Sequence, residues 1–206
     1  MAIHVLDPNK IGTQTEEMFN VTNTTGRDLI NKFASNIDSL KSHWKGSDAV
    51  ANITDLANVY SAVTKLVTTV QKYIVSANNE DVLRLQKSLV ASGGNCAIGN
   101  ELSNTLSNVA TSVSVPTDGG ESWTDAAISS DASTFENLIA DFDKFVTSID
   151  QTKEALLANW LEGANRDAID IAFKEFDKNV PTYREQIKKV SNNLNTVAKN
   201  KRDLLQ

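Results

Sequence analysis

Apolar positions along this chain recur at spacings of three, four and seven, the period of one face of an α-helix. Ile30, Phe33, Ile37, Leu40 and Trp44 make one stripe, and Ala49, Ile53, Leu56, Tyr60, Val63, Val67, Val70 and Ile74 continue it beyond Gly46. The second half repeats the plan. Phe135, Leu138, Phe142, Phe145, Ile149, Leu156 and Trp160 precede Gly163, and Ala168, Ile171, Val180, Tyr183, Ile187, Val190, Leu194 and Val197 follow it. No alternating strand pattern of useful length appears, so the pattern predicts an all-α fold. Each Trp-to-Gly step is read as a reversal: Trp44 and Trp160 are the last large apolar knobs, and Gly46 and Gly163 supply a left-handed φ that closes a helix. Two antiparallel hairpins in tandem result, packing as an elongated four-helix bundle.

The predicted boundaries are a first hairpin over 1–92, a linker over 93–121 and a second hairpin over 122–206. After an extended lead-in over 1–12, Thr13-Gln14-Thr15-Glu16 has the form of a capping box opening helix one. Thr22 to Gly26 is its weak point, because β-branched residues and an interior Gly cost helix stability there. Ser47 or Asp48 caps helix two, which has a joint at Asn78-Asn79. The linker is rich in Gly, Ser, Asn and Thr, yet Leu102, Leu106, Val109 and Val113 stand at helical spacing, so a short helix is expected inside it. Ser133 and Glu136 form a further capping-box pattern in the second half. Pro181 removes one ladder hydrogen bond and is expected to kink or divide the last helix.

Composition narrows the function. With 206 residues and 40% hydrophobic content the chain can bury a core. It has no apolar run of about eighteen residues, so stable membrane insertion is not expected. Met1 to Pro8 lacks the basic and apolar regions of a cleaved secretory signal. The lone Cys96 cannot form an internal disulfide, and no Cys or His cluster has metal-ligand spacing. Neither cofactor nor metal is implied. His4 and His43 are the only histidines, and no phosphate-binding loop or nucleophile elbow is present, which argues against an enzyme.

The net charge of −6 is unevenly spread. Basic and acidic residues balance over 1–100, so the acidic excess lies after it. Asp118, Glu121, Asp125, Asp131, Glu136, Asp141 and Asp143 precede any Lys or Arg of the second half, whereas Arg184, Lys188, Lys189, Lys199, Lys201 and Arg202 crowd its end. Antiparallel helices would set these against each other, a better reading than a nucleic-acid site in an acidic chain.

Trp44-Lys45-Gly46-Ser47-Asp48-Ala49, with Ile53 one turn on, resembles the WXG family of ESAT-like type VII secretion substrates of Gram-positive bacteria. Trp160-Leu161-Glu162-Gly163-Ala164 resembles it with one extra residue. The resemblance implies a non-enzymatic helical protein, secreted or at the cell surface without a cleaved signal and cytoplasmic before export. Its partners would be proteins: a secretion ATPase, a cognate toxin or a second copy. It would serve as cargo, carrier or chaperone; the alternative is a helical-bundle toxin component that acts on membranes. The family's export signal is a Tyr followed four residues later by an acidic residue. Here Tyr60, Tyr73 and Tyr183 are followed by Thr64, Ala77 and Ile187, and only Phe173 with Asp177 has an aromatic-to-acidic step of that length. Leu161-Glu162-Gly163 also resembles the L-x-G turn of certain type VII toxins, but the chain after Gly163 is too short for a toxic domain, which fits a toxin's helper better.

Overall fold

A computed structural model describes residues 4–5, 7–117 and 120–204 of the chain. Asp118 and Gly119 of the linker, together with 1–3, Leu6 and 205–206, lie outside the described residues. The fold is all-α. Its elements in order are β1 (His4–Val5), α1 (Pro8–Val21), α2 (Arg27–His43), β2 (Trp44–Lys45), α3 (Ser47–Ala77), α4 (Leu83–Ala91), β3 (Ser122–Trp123), α5 (Asp125–Asn159), β4 (Trp160–Glu162) and α6 (Ala164–Asp203). Wider π-helical turns, Thr22–Gly26 and Asn78–Val82, join α1 to α2 and α3 to α4.

The two suspected weak points are therefore joints that keep the helix going. At the first, a side chain on Gly26 would come within 2.6 Å of Val67 Cγ1 and 3.1 Å of Phe145 Cε2, so only Gly permits that approach. At the second, Asn78 is buried and accepts a 3.0 Å hydrogen bond from Thr15 Oγ1.

Two helix starts differ from expectation. Asp7 caps α1, its Oδ1 accepting from Asn9 N at 3.0 Å and Lys10 N at 3.2 Å, with Pro8 in the first turn. An Asp-Pro pair satisfies free N–H groups and presets φ, so it opens the helix before the Thr13–Glu16 pattern is reached. In the second half α5 begins at Asp125, and the Ser133 hydroxyl donates to the Ser129 carbonyl in mid-helix. The linker also differs: its residues 94–117 form no helix and only a turn over 105–108, where Val109 N bonds Leu106 O at 3.2 Å. Pro181 does not divide α6. It is exposed, in a stretch over 179–186 where no side chain is fully buried, so the lost bond disturbs little packing.

The chain forms two compact units, each drawing on stretches of all four helical runs. One comprises Met1–Arg27, Leu66–Val109 and Phe145–Lys178, and the other Asp28–Lys65, Ala110–Lys144 and Asn179–Gln206. In the first, Met18, Val67, Ile74, Ile149, Trp160 and Phe173 are buried, and the Phe145 and Phe176 rings meet edge to face at 5.9 Å. In the second, Phe33 packs edge to face on Tyr60 at 5.7 Å and on Phe135 at 6.1 Å, among buried Ile37, Leu40, Trp44, Ile53 and Leu194.

Residues 99–106 of the linker are held on the first unit by side-chain amides. Asn79 both donates to Leu102 O at 2.8 Å and accepts from Leu102 N at 2.9 Å. Asn78 donates to Asn100 O, and Gln86 Oε1 accepts from Gly99 N. Gln71 Oε1 accepts from Leu106 N at 2.8 Å, and Leu106 itself is buried.

Candidate functional site

Both Trp-to-Gly steps are built in one way. Trp44 and Trp160 are each 1% exposed, so they are anchors of the core and not recognition surfaces. Each lies in a very short strand. β2 pairs antiparallel with β3, Trp44 opposite Trp123 and Lys45 opposite Ser122, and Thr124 N extends the pairing by bonding His43 O at 3.1 Å. β4 pairs antiparallel with β1, Trp160 opposite Val5 and Glu162 opposite His4. Each turn is thus completed by the segment that leads into the other half.

Gly46 has φ +120° and Gly163 has φ +147°, values that L side chains rarely adopt. Gly46 O accepts from Val50 N at 3.0 Å and Gly163 O from Asp167 N at 2.9 Å. Each Gly carbonyl therefore takes the first bond of the helix that follows, so both glycines start α3 and α6 instead of closing the helix before. The extra residue of the second turn is absorbed in β4, three residues long against two in β2, with an irregular register between His4 and Val5. Trp160 Nε1 donates to Glu162 O at 3.1 Å, and Arg166 Nε donates to Trp160 O at 3.3 Å.

Beside the first turn is a polar cluster that the sequence did not single out. Asp131, buried in α5, accepts from Ser39 Oγ at 2.8 Å and lies 2.8 Å from His43 Nδ1. These residue types are those of a hydrolytic triad, but their order is wrong for one. The carboxylate stands between serine and imidazole, so the ring is not placed to take the hydroxyl proton, and the cluster ties α2 to α5. Lys201 Nζ stands 4.3 Å from the centre of the Trp123 ring and 3.7 Å from Glu121 Oε2. The expected matching of basic and acidic ends is present: Arg202 pairs with Asp125 at 3.1 Å, and Arg184 grips Asp143 through Nε and Nη2 at 2.9–3.1 Å. Arg202 holds the partly exposed Asp125 carboxyl below the usual range, chiefly through that hydrogen bond.

Phe173 and Asp177 converge on one residue. Phe173 is buried, and Lys153 Nζ lies 5.9 Å from its ring centre while donating to both Asp177 oxygens at 2.8 and 3.0 Å and to Asp150 at 2.8 Å. Burial is the largest single influence on the Lys153 ammonium and pushes its pKa down. The hydrogen bonds and charges of Asp150 and Asp177 together outweigh it and leave the pKa raised.

Among the described residues, no helix is long and apolar enough to cross a membrane and no group of three or more His, Cys, Asp or Glu could hold a metal. No family model, curated protein or solved structure matches this chain.

Proposed function

We propose that the chain is a non-enzymatic protein of a type VII, ESAT-like secretion system. It joins two WXG-type hairpins, 1–92 and 122–206, through the linker 93–121, as a tandem four-helix bundle. It acts through helix faces as cargo, carrier or chaperone, with a secretion ATPase or a cognate toxin as partner. It resides in the cytoplasm before export and outside the cell or on its surface afterwards.

The observation that carries this reading is the shared construction of the two turns. In each, a buried Trp sits in a short strand, a positive-φ Gly opens the next helix, and the lead-in segment of the other half closes the turn. Such reciprocity is what two hairpins related by a two-fold axis would display, here within one chain. A export receptor that reads Phe173 and Asp177 must compete with Lys153 for the carboxylate and reach a ring that is buried.

The test is secretion. The culture supernatant of the source organism is compared with that of a strain lacking its type VII ATPase. The protein should appear outside wild-type cells and be lost from the supernatant, but not from the cytoplasm, of the deletion strain. An unchanged amount outside the deletion strain contradicts the proposal.

A further inference from the structure

Residues 97–106 lie on the first unit as a bound segment would, held mostly by their main chain. Asn9 Oδ1 accepts from Ala97 N at 2.9 Å and Arg27 Nη2 donates to Thr105 O at 2.9 Å, while Gln86, Asn78, Asn79 and Gln71 take the main-chain groups of Gly99, Asn100, Leu102 and Leu106. Of the segment's own side chains only Leu106 is fully buried. The amides that read it are fixed from behind: Gln71 Nε2 donates to Thr22 Oγ1, Gln86 Nε2 donates to Pro8 O, and Asn78 Oδ1 accepts from Thr15 Oγ1. Gln71, Asn78 and Gln86 are themselves buried, so the groove is built into the helices and not made by what fills it.

One group in this groove is poorly matched by its occupant. Arg27 Nη2 donates to Thr105 O and to Asn23 Oδ1, but Arg27 Nε is buried with no acceptor among the described residues, and the guanidinium is in no ion pair there. A buried donor left unpaired is costly. The same edge of Arg184, Nε with Nη2, grips the Asp143 carboxylate, which is the partner that such an edge fits best. We propose that the groove is a recognition site for a partner polypeptide whose bound segment carries an acidic residue directly before an anchoring leucine, and that Thr105-Leu106 occupies the place of that pair in cis. The leucine fills the Leu106 position and the carboxylate takes the Nε–Nη2 edge of Arg27. Asn23 Oδ1, which now accepts from Thr105 Oγ1 at 2.7 Å, gives way to its own Nδ2 when the amide turns over. The added ion pair is what lets a partner compete with a segment that its own chain holds at high effective concentration. The site is independent of the secretion reading, because no part of either Trp-to-Gly turn enters it.

The probes are two synthetic peptides, one with the sequence of residues 97–109 and one with Thr105→Asp in that sequence. Each is titrated by NMR into the full-length chain carrying Leu106→Ala, which removes the anchor of the segment bound in cis. The Thr105→Asp peptide should bind at least about fivefold more tightly than the native sequence, with shifts at the Gln71, Asn78 and Asn79 side-chain amides, and Arg27→Gln should abolish the difference. Equal affinity of the two peptides, a preference that survives Arg27→Gln, shifts elsewhere only, or no binding at about 1 mM would each overturn the proposal. A second measurement avoids the weakened variants. Thr105→Asp placed in the otherwise native chain should raise the thermal midpoint and slow amide exchange at Leu106, and unchanged or faster exchange there would contradict the assignment of Arg27.

Discussion

Gly46 answers two demands at once. Its φ of +120° strains any L side chain, and a Cβ there would meet Glu121 Cγ at 3.0 Å. The Gly46→Ala variant should therefore lose about 1–3 kcal/mol of stability, measured by denaturant unfolding. Lys153 is the second residue with a definite cost. In Lys153→Met the charge-assisted bonds to Asp150 and Asp177 vanish, but both carboxylates are about half exposed and recover water, so the loss is about 1–2 kcal/mol. The sign of its pH dependence follows from the raised pKa. The contribution is complete below the unfolded lysine value of about 10.4 and disappears as pH rises through the folded value. Wild-type stability should fall at alkaline pH more steeply than that of Lys153→Met in parallel unfolding curves.

Among the elements, the linker departs furthest from its sequence pattern. Leu102, Leu106, Val109 and Val113 have helical spacing, yet helix formation would withdraw the N–H and C=O groups that Asn78, Asn79, Gln71 and Gln86 now hold. Competition from tertiary partners outweighed local period there. Gln71→Ala should leave Leu106 N–H and Thr22 Oγ1 without their shared partner, costing about 1–3 kcal/mol and speeding amide exchange at Leu106. The long helices were legible because apolar residues recur at helical spacing along each, although in α6 Ile171 is exposed and the buried face runs through Ile169, Ala172, Phe173 and Phe176. The starts of α1 and α5 were not, because Ser, Thr and Glu in helix interiors reproduce the capping-box spacing and the Pro and Gly around Asp7-Pro8 have the pattern of a lead-in. The π-turns were visible only as places where Thr, Gly and Asn weaken a helix. At the far end of α6, the Asp125–Arg202 pair gives an acid-side prediction. A carboxyl whose folded pKa is lowered contributes above its unfolded value of about 4 and ceases to as pH falls through the folded one. Asp125→Asn should therefore flatten the acid limb of the stability profile, read by thermal unfolding between about pH 5 and pH 2.

For the whole molecule, the positions of Trp44, Gly46, Trp160 and Gly163 could be read from the sequence, and what closes each turn could not. Strands of two or three residues leave no period-two signal, and their partners are distant in the chain: His4–Val5 with Trp160–Glu162, and Trp44–Lys45 with Ser122–Trp123. The dependence is mutual: each half supplies the piece the other half's turn requires. It is tested most directly by expressing residues 1–117 and 120–206 as separate chains and mixing them in a sedimentation-velocity cell, with circular dichroism recorded on the same samples. A one-to-one complex is expected, with helix content above that of the two separate pieces. Two pieces that sediment independently at micromolar concentration, with additive spectra, would contradict it.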